Sequence, residues 1–155
     1  MGHHWTKICC PVDFSEPSHE ALAQAVDIAA HGAARLVLLH VHERAALGAA
    51  GEVPIADPEL EERLVHDLNQ QLERYRAEAE RSVPGRAVAE AACGDPATEI
   101  VRFVQRNGCD LIVMGTHGRS GIRRLVLGSV AETVVRHAPC SVLVVRPPQF
   151  RVEPD

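Results

Sequence analysis

Apolar residues in this chain fall into short runs separated by helical stretches, and that alternation constrains the fold more than any other feature of the sequence. Thr6 to Val12 reads as a first strand, and Ala21, Leu22, Ala25, Val26, Ile28 and Ala29 recur at helical spacing until Gly32. Leu36 to Val41 is a second strand. A helical crossover between neighbouring strands implies parallel pairing and a right-handed connection. The pattern repeats through a weaker strand at Arg86 to Ala92, then a helix with Asp95 at its N-cap and Pro96 in its first turn, ending at Asn107-Gly108. Leu111 to Met114 is an apolar run without alternation, suited to a strand covered on both faces. A helix from Ser129 to His137, stopped by Pro139, and a strand at Ser141 to Val145 complete the set. The expectation is a doubly wound α/β fold, an open five-stranded parallel sheet in the order 3-2-1-4-5 with helices on both faces. Its 155 residues are expected to form one domain.

Two stretches do not fit the repeat so simply. Residues 43 to 58 are rich in Ala, Gly and Pro without periodicity, either a lid beside a pocket or a disordered excursion. Leu60, Leu64, Leu68 and Leu72 follow at four-residue spacing, continued by Tyr75 and Ala79, and predict a helix packing that stripe into the core until Pro84-Gly85.

Function points to Asp110 to Val130, where a strand delivers a glycine loop to a helix. Gly115, Gly118, Gly121 and Gly128 permit positive φ and close backbone approach to a ligand. Ser129 stands where unpaired N–H groups at a helix start favour phosphate oxygens. The alternative is a flexible connection whose glycines merely turn the chain. A P-loop is excluded, since no G-x-x-x-x-G-K-[ST] occurs and Lys7 is the only lysine; G-x-G-x-x-G is absent too. In the order 3-2-1-4-5 the chain reverses between strands one and four, and the crevice at their carboxyl ends is bordered by Pro11 to Asp13 and by Met114 to Gly118.

The spacing G-x-x-G, nine residues, G-S at Gly115, Gly118, Gly128 and Ser129 resembles the ATP-binding motif of the universal stress protein family. P-V-D-F-S at Pro11 to Ser15 resembles that family's first nucleotide loop. The resemblance, which covers nearly the whole chain, implies a Rossmann-like fold with adenine and ribose near Pro11, Val12, Asp13 and Val41. It implies ribose and phosphates near Met114, Gly115, Gly118, Arg119, Gly128, Ser129 and Val130. The ligand it implies is ATP, with ADP and AMP as alternatives, accompanied by Mg²⁺. Asp13 can equally cap the turn after its strand. His117 in G-T-H-G is expected to line the pocket without acting as a general acid or base, because no partner group stands near it in sequence. Arg119, Arg123 and Arg124 either offset phosphate charge or stay solvated. His40 and His42, which flank Val41, are expected to be structural.

A stress-responsive regulatory protein that binds ATP is the expected function. A slow Mg²⁺-dependent ATPase and a dimeric scaffold without nucleotide are the alternatives. Composition excludes other classes: a net charge of −5 and a pI near 6.0 give no basic footprint for nucleic acid, and no apolar run is long enough to span a bilayer. Five cysteines, odd in number and without C-x-x-C spacing, together with the missing signal peptide predict reduced thiols in the cytoplasm. Cys9 and Cys10 are expected to be small apolar residues of a buried strand. Strand 141–145 would lie at a sheet edge, an open template for a homodimer in which it pairs antiparallel with its symmetry mate.

Overall fold

The computed structural model describes residues 4–43, 57–117 and 127–148. Its elements run β1 (Lys7–Pro11), α1 (Glu16–His31), β2 (Arg35–His42), α2 (Pro58–Glu80), β3 (Ala87–Cys93), α3 (Pro96–Asn107), β4 (Leu111–Gly115), α4 (Ser129–His137) and β5 (Ser141–Val145). All five strands are parallel, in the order β3-β2-β1-β4-β5. The expected architecture is the observed one.

Alternate residues of the central strands send their side chains to opposite layers, as the two-residue period requires. Ile8, Cys10, Leu36, Leu38, Leu111 and Val113 pack with Ala21, Leu22, Ala25 and Ala29 of α1 and Leu72 and Ala79 of α2. Cys9, Leu39, Ile112 and Met114 pack with Ala97, Ile100 and Val104 of α3 and Ala131 and Val134 of α4. Cys9 and Cys10 are therefore buried strand residues, one in each layer. Burial of about 0.8 kcal/mol per methylene makes these two layers the main stabilising element of the sheet.

The long stripe of α2 behaves differently from its expectation. Leu72 is buried to 3 % exposure, whereas Leu64 is 56 % and Leu60 53 % exposed. Four-residue spacing aligns these leucines on one face, but β2 and β3 lie beneath the C-terminal half of α2. Its first turns are fixed by Asp57, whose carboxylate accepts from the Glu59 and Leu60 N–H groups.

Two polar clamps hold the rim of the sheet. The Arg86 guanidinium donates to the carbonyls of Ala29, Gly32 and Ala34, fixing the C-terminal end of α1 beside the start of β3. At the amino end of β4, the Asp110 carboxylate accepts from Thr6 N at 2.8 Å, Thr6 Oγ1 at 2.7 Å and Lys7 N at 3.0 Å. Desolvation pushes the Asp110 carboxyl up, but the hydrogen bonds from Lys7 and Thr6 outweigh it and hold the group below its ordinary range.

Candidate functional site

Strand order alone defines the crevice. β1 pairs with β4 at Ile8↔Leu111 and Cys9↔Ile112, but with β2 over all five of its residues. Helical connections leave toward opposite layers from the carboxyl ends of β1 and β4, so the loops after them border an opening at the switch point.

After β1, the loop from Val12 to Ser15 is held by its own side chains. Val12 is buried and its N–H donates to Leu39 O at 2.9 Å. Its carbonyl accepts from His40 Nδ1 at 2.8 Å, so His40 carries its proton on Nδ1 and ties the end of β2 to the end of β1. The Asp13 Oδ1 atom accepts from the Ser15 N–H at 3.0 Å and from the Ser15 hydroxyl. Ser15 in turn is the N-cap of α1, accepting from Ser18 N, while Ser18 Oγ accepts from the Asp13 N–H at 3.0 Å. The capping role open to Asp13 is thus realised, and it presents a half-buried carboxylate at the crevice wall.

Phe14 is the residue that sequence reasoning missed. Its φ of 64° lies in the left-handed region, where an aromatic side chain is an outlier costing of order 1 to 3 kcal/mol. The strained backbone sets its ring 4.8 Å from His40 and 5.3 Å, edge on, from Tyr75 of α2, which also meets His19 at 5.5 Å. This aromatic group packs under the Val12–Asp13 loop. No local pattern announces it, because propensity disfavours the conformation that Phe14 adopts.

After β4, Met114 is buried and Gly115 pairs with Val145. A Cβ on Gly115 would lie 2.8 Å from Pro17 O, so the absent side chain admits the first turn of α1. Thr116 is buried, and its carbonyl accepts the Gly128 N–H at 2.7 Å. That bond joins the two ends of the glycine loop. Gly128, with φ −61° and ψ 156°, is the N-cap of α4 and brings no side-chain cap to the helix start. Neither Gly115 nor Gly128 has positive φ; both are demanded by backbone approaching backbone. Ser129, the first helical residue, is exposed and Val130 half-buried, with their N–H groups in the uncapped turn.

His117 lies between these parts. Its Nδ1 is 3.0 Å from Thr116 Oγ1, and its Nε2 is buried without a hydrogen-bond partner. A buried polar atom left so is costly, and such atoms commonly mark a place where a ligand or ion belongs.

Around the switch point, Pro11 ends β1 and Met114 and Gly115 end β4, Val12, Asp13 and His117 lie in the loops that follow, and Gly128, Ser129 and Val130 form the start of α4. Val41, half-buried, is at the end of β2 opposite Ala92. Gly118, Arg119, Gly121, Arg123, Arg124 and most of the 43–58 connector lie outside the described residues. Among the described residues no group of three His, Cys, Asp or Glu side chains is arranged to hold a metal ion, and no helix is long and apolar enough to cross a membrane.

Known proteins are similar to this chain over nearly its whole length. The profile of the universal stress protein family matches residues 4–146. Universal stress protein MJ0531 of Methanocaldococcus jannaschii is 36 % identical over 148 residues, covering 94 % of this chain and 84 % of its own. The structure of the universal stress protein UspA from Lactobacillus plantarum superposes with a TM-score of 0.81 at 30 % identity, over 94 % of this chain and 100 % of that one. A universal stress protein solved in complex with cAMP shares the fold, with a TM-score of 0.68 at 22 % identity over 92 % and 98 %.

Proposed function

Since the chain belongs to the universal stress protein family, we propose that it binds ATP in the β1/β4 crevice and acts as a nucleotide-dependent regulatory protein of the stress response. The observation that carries this reading is the uncapped start of α4, set by the Thr116–Gly128 bond beside the unpartnered Nε2 of His117. Helix-start N–H groups, the helix dipole and a ring nitrogen able to donate make one site for phosphate oxygens. Gly118 and Arg119 complete the phosphate side in this reading. Adenine and ribose occupy the other side, against Pro11, Val12, Asp13 and Val41, with Met114 as an apolar floor. A relative of the same fold in complex with cAMP supports an adenine nucleotide as the ligand class.

Mg²⁺ enters with the nucleotide, held by its phosphates, because the described residues offer no carboxylate cluster of their own. The Asp13 carboxylate accepts from Ser15, and His117 Nδ1 lies 3.0 Å from Thr116 Oγ1, so both groups shape the walls of the crevice. In this reading the protein is a binder before it is an enzyme, with ADP and AMP as competing ligands. It works in the cytoplasm as a homodimer through β5, the last strand of the sheet, where Leu143 is 39 % exposed.

Mass spectrometry of nucleotide released from the purified, denatured protein, followed by calorimetric titration with ATP, ADP, AMP and cAMP with and without Mg²⁺, tests the reading. Bound ATP, and an affinity weakened in His117→Ala, are expected. A folded protein that carries no nucleotide and gives no heat with any of the four is not an adenine-nucleotide binder. Loss of turnover by 100-fold or more in His117→Ala at unchanged affinity, the size of a general acid–base contribution of about 10² to 10⁴, makes it an ATPase instead.

A further inference from the structure

Thr116 joins the glycine loop to His117 through its side chain as well as its backbone. It is buried, with 7 % of its surface exposed. The backbone around it is pinned on both sides: Gly115 pairs with Val145 of β5, and the Thr116 carbonyl accepts the Gly128 N–H at 2.7 Å. A β-branched side chain on a fixed backbone has little χ1 freedom, so the hydroxyl occupies a set place. That place is 3.0 Å from His117 Nδ1.

Hydrogen-bond accounting chooses between the two neutral forms of the ring, in each of which one nitrogen donates and the other accepts. Were Nδ1 protonated, it would donate to Thr116 Oγ1. The hydroxyl hydrogen would then have no acceptor among the described residues, and the buried Nε2 lone pair would be unpartnered as well. With the proton on Nε2, the hydroxyl donates to Nδ1 and only the Nε2–H is left over. One buried orphan costs less than two. His40 supplies the contrast, because its Nδ1 faces the Val12 carbonyl, which can only accept and so draws the proton to Nδ1. A hydroxyl can donate, and the threonine before His117 sets the opposite tautomer.

The leftover donor stands among other donors. His117 Cα lies 3.4 Å from where a Cβ on Gly128 would stand, against the start of α4, whose N–H groups receive no side-chain cap. Donors gathered at the positive end of a helix dipole fit an anionic oxygen. A protonated Nε2 has no lone pair to offer a divalent cation. We infer that Thr116 is a positioning residue that holds His117 as an Nε2–H donor, and that the pair selects phosphorylated adenine nucleosides over adenosine by donating to a phosphoryl oxygen. The selection rests on the nucleotide reading of the crevice; the placement of the proton does not.

Heteronuclear NMR of the imidazole nitrogens in full-length, isotope-labelled wild-type protein without nucleotide reads the ring directly. The His117 signals are identified among the nine histidines by their loss in His117→Gln. A protonated Nε2 and a bare Nδ1 are expected. A proton on Nδ1, alone or on both nitrogens, overturns the proposal, and this arm depends on no Thr116 variant. Isothermal titration with ATP and adenosine then tests selection. Thr116→Val is expected to lose about 10-fold or more in ATP affinity, the lower end of what a hydrogen bond to a charged oxygen contributes, while adenosine binds as to wild type. Thr116→Ser keeps the hydroxyl and should restore ATP affinity. Equal losses for ATP and adenosine make Thr116 a packing residue and overturn the proposal, as does a Thr116→Val protein with wild-type ATP affinity. Inorganic tripolyphosphate separates this inference from the reading beneath it. A wild-type protein that binds no adenine nucleotide, yet shifts its His117 Nε2 signal with tripolyphosphate, upholds the donor and its anionic acceptor and overturns the selection of nucleosides. An Nε2 signal unmoved by ATP and by tripolyphosphate overturns the donor role itself.

Discussion

Replacing Gly128 by alanine probes the geometry on which the candidate site depends. The added Cβ would lie 2.9 Å from Thr116 O and 3.4 Å from His117 Cα. Both neighbours are backbone, so no side chain can swing aside, and the crowded oxygen is the one that accepts the Gly128 N–H at 2.7 Å. Relief must come by lengthening the bond that closes the loop. Overpacking of this size costs about 1 to 3 kcal/mol. Melting temperature should fall by roughly 2 to 4 °C for each kcal/mol in a chain of this length. If the closed loop is what orients the α4 N–H groups toward phosphate, a comparable energy is lost from binding, at about tenfold per 1.4 kcal/mol. ATP affinity should then drop by about 5-fold to 150-fold. Ser129→Ala, at an exposed position, removes one hydrogen bond to the ligand, worth about 0.5 to 1.5 kcal/mol if neutral and up to about 3 to a charged oxygen. Differential scanning calorimetry and isothermal titration of both variants supply the measurement. A Gly128→Ala protein that melts and binds ATP like wild type refutes the loop-closure argument; one that melts lower yet binds normally separates closure from binding.

Three further outcomes are expected. Asp110→Asn should lower the urea midpoint at neutral pH, and the gap to wild type should narrow in acid: the folded-state pKa of Asp110 is depressed, so its stabilisation is complete above the ordinary carboxylate pKa and is lost as pH falls through the depressed value. A gap of equal size at pH about 7 and about 3, bracketing the model-peptide pKa of about 3.9, contradicts that assignment. Leu72→Ala should cost about 2 to 5 kcal/mol by urea unfolding, against about 0.5 or less for Leu64→Ala, since the first is buried and the second 56 % exposed; equal costs would mean that the start of α2 is packed in solution. Leu143→Lys, which places a charge on the β5 edge, should turn a dimer into monomer at micromolar concentration in sedimentation equilibrium, and a wild-type monomer or a fully dimeric variant moves the interface elsewhere.

Legibility in the sequence followed the range of the physics. The limits of α4 and β5 coincide with their expected residues, Ser129–His137 and Ser141–Val145, because a proline follows each: Pro139 after the helix and Pro147 after the strand. The cap of α3 was equally local, Asp95 accepting from Thr98 N at 3.0 Å. The leucine stripe of α2 was not, since periodicity tells which residues share a face but not whether another element lies opposite. Leu60 and Leu64 have the right spacing and, among the described residues, no strand beneath them, whereas Leu72 has both.

The glycine loop shows the same limit within the site. Its positions were readable, but the freedom of φ that glycine offers is not what Gly115 and Gly128 use. Among the described residues, positive φ falls on Gly85, Gly94, Gly108 and Phe14. Gly115 and Gly128 are needed because Pro17 O and Thr116 O come within about 3 Å of where a Cβ would stand, contacts between residues 98 and 12 positions apart that no local pattern encodes. Those two approaches also link the halves of the crevice. Pro17 belongs to the first turn of α1, whose N-cap Ser15 holds Asp13, and Thr116 belongs to the loop that Gly128 closes onto α4. A side chain added at Gly115 is therefore expected to press on Pro17 and so on the Asp13 loop, while Thr116, the next residue, carries the bond that closes the loop onto α4.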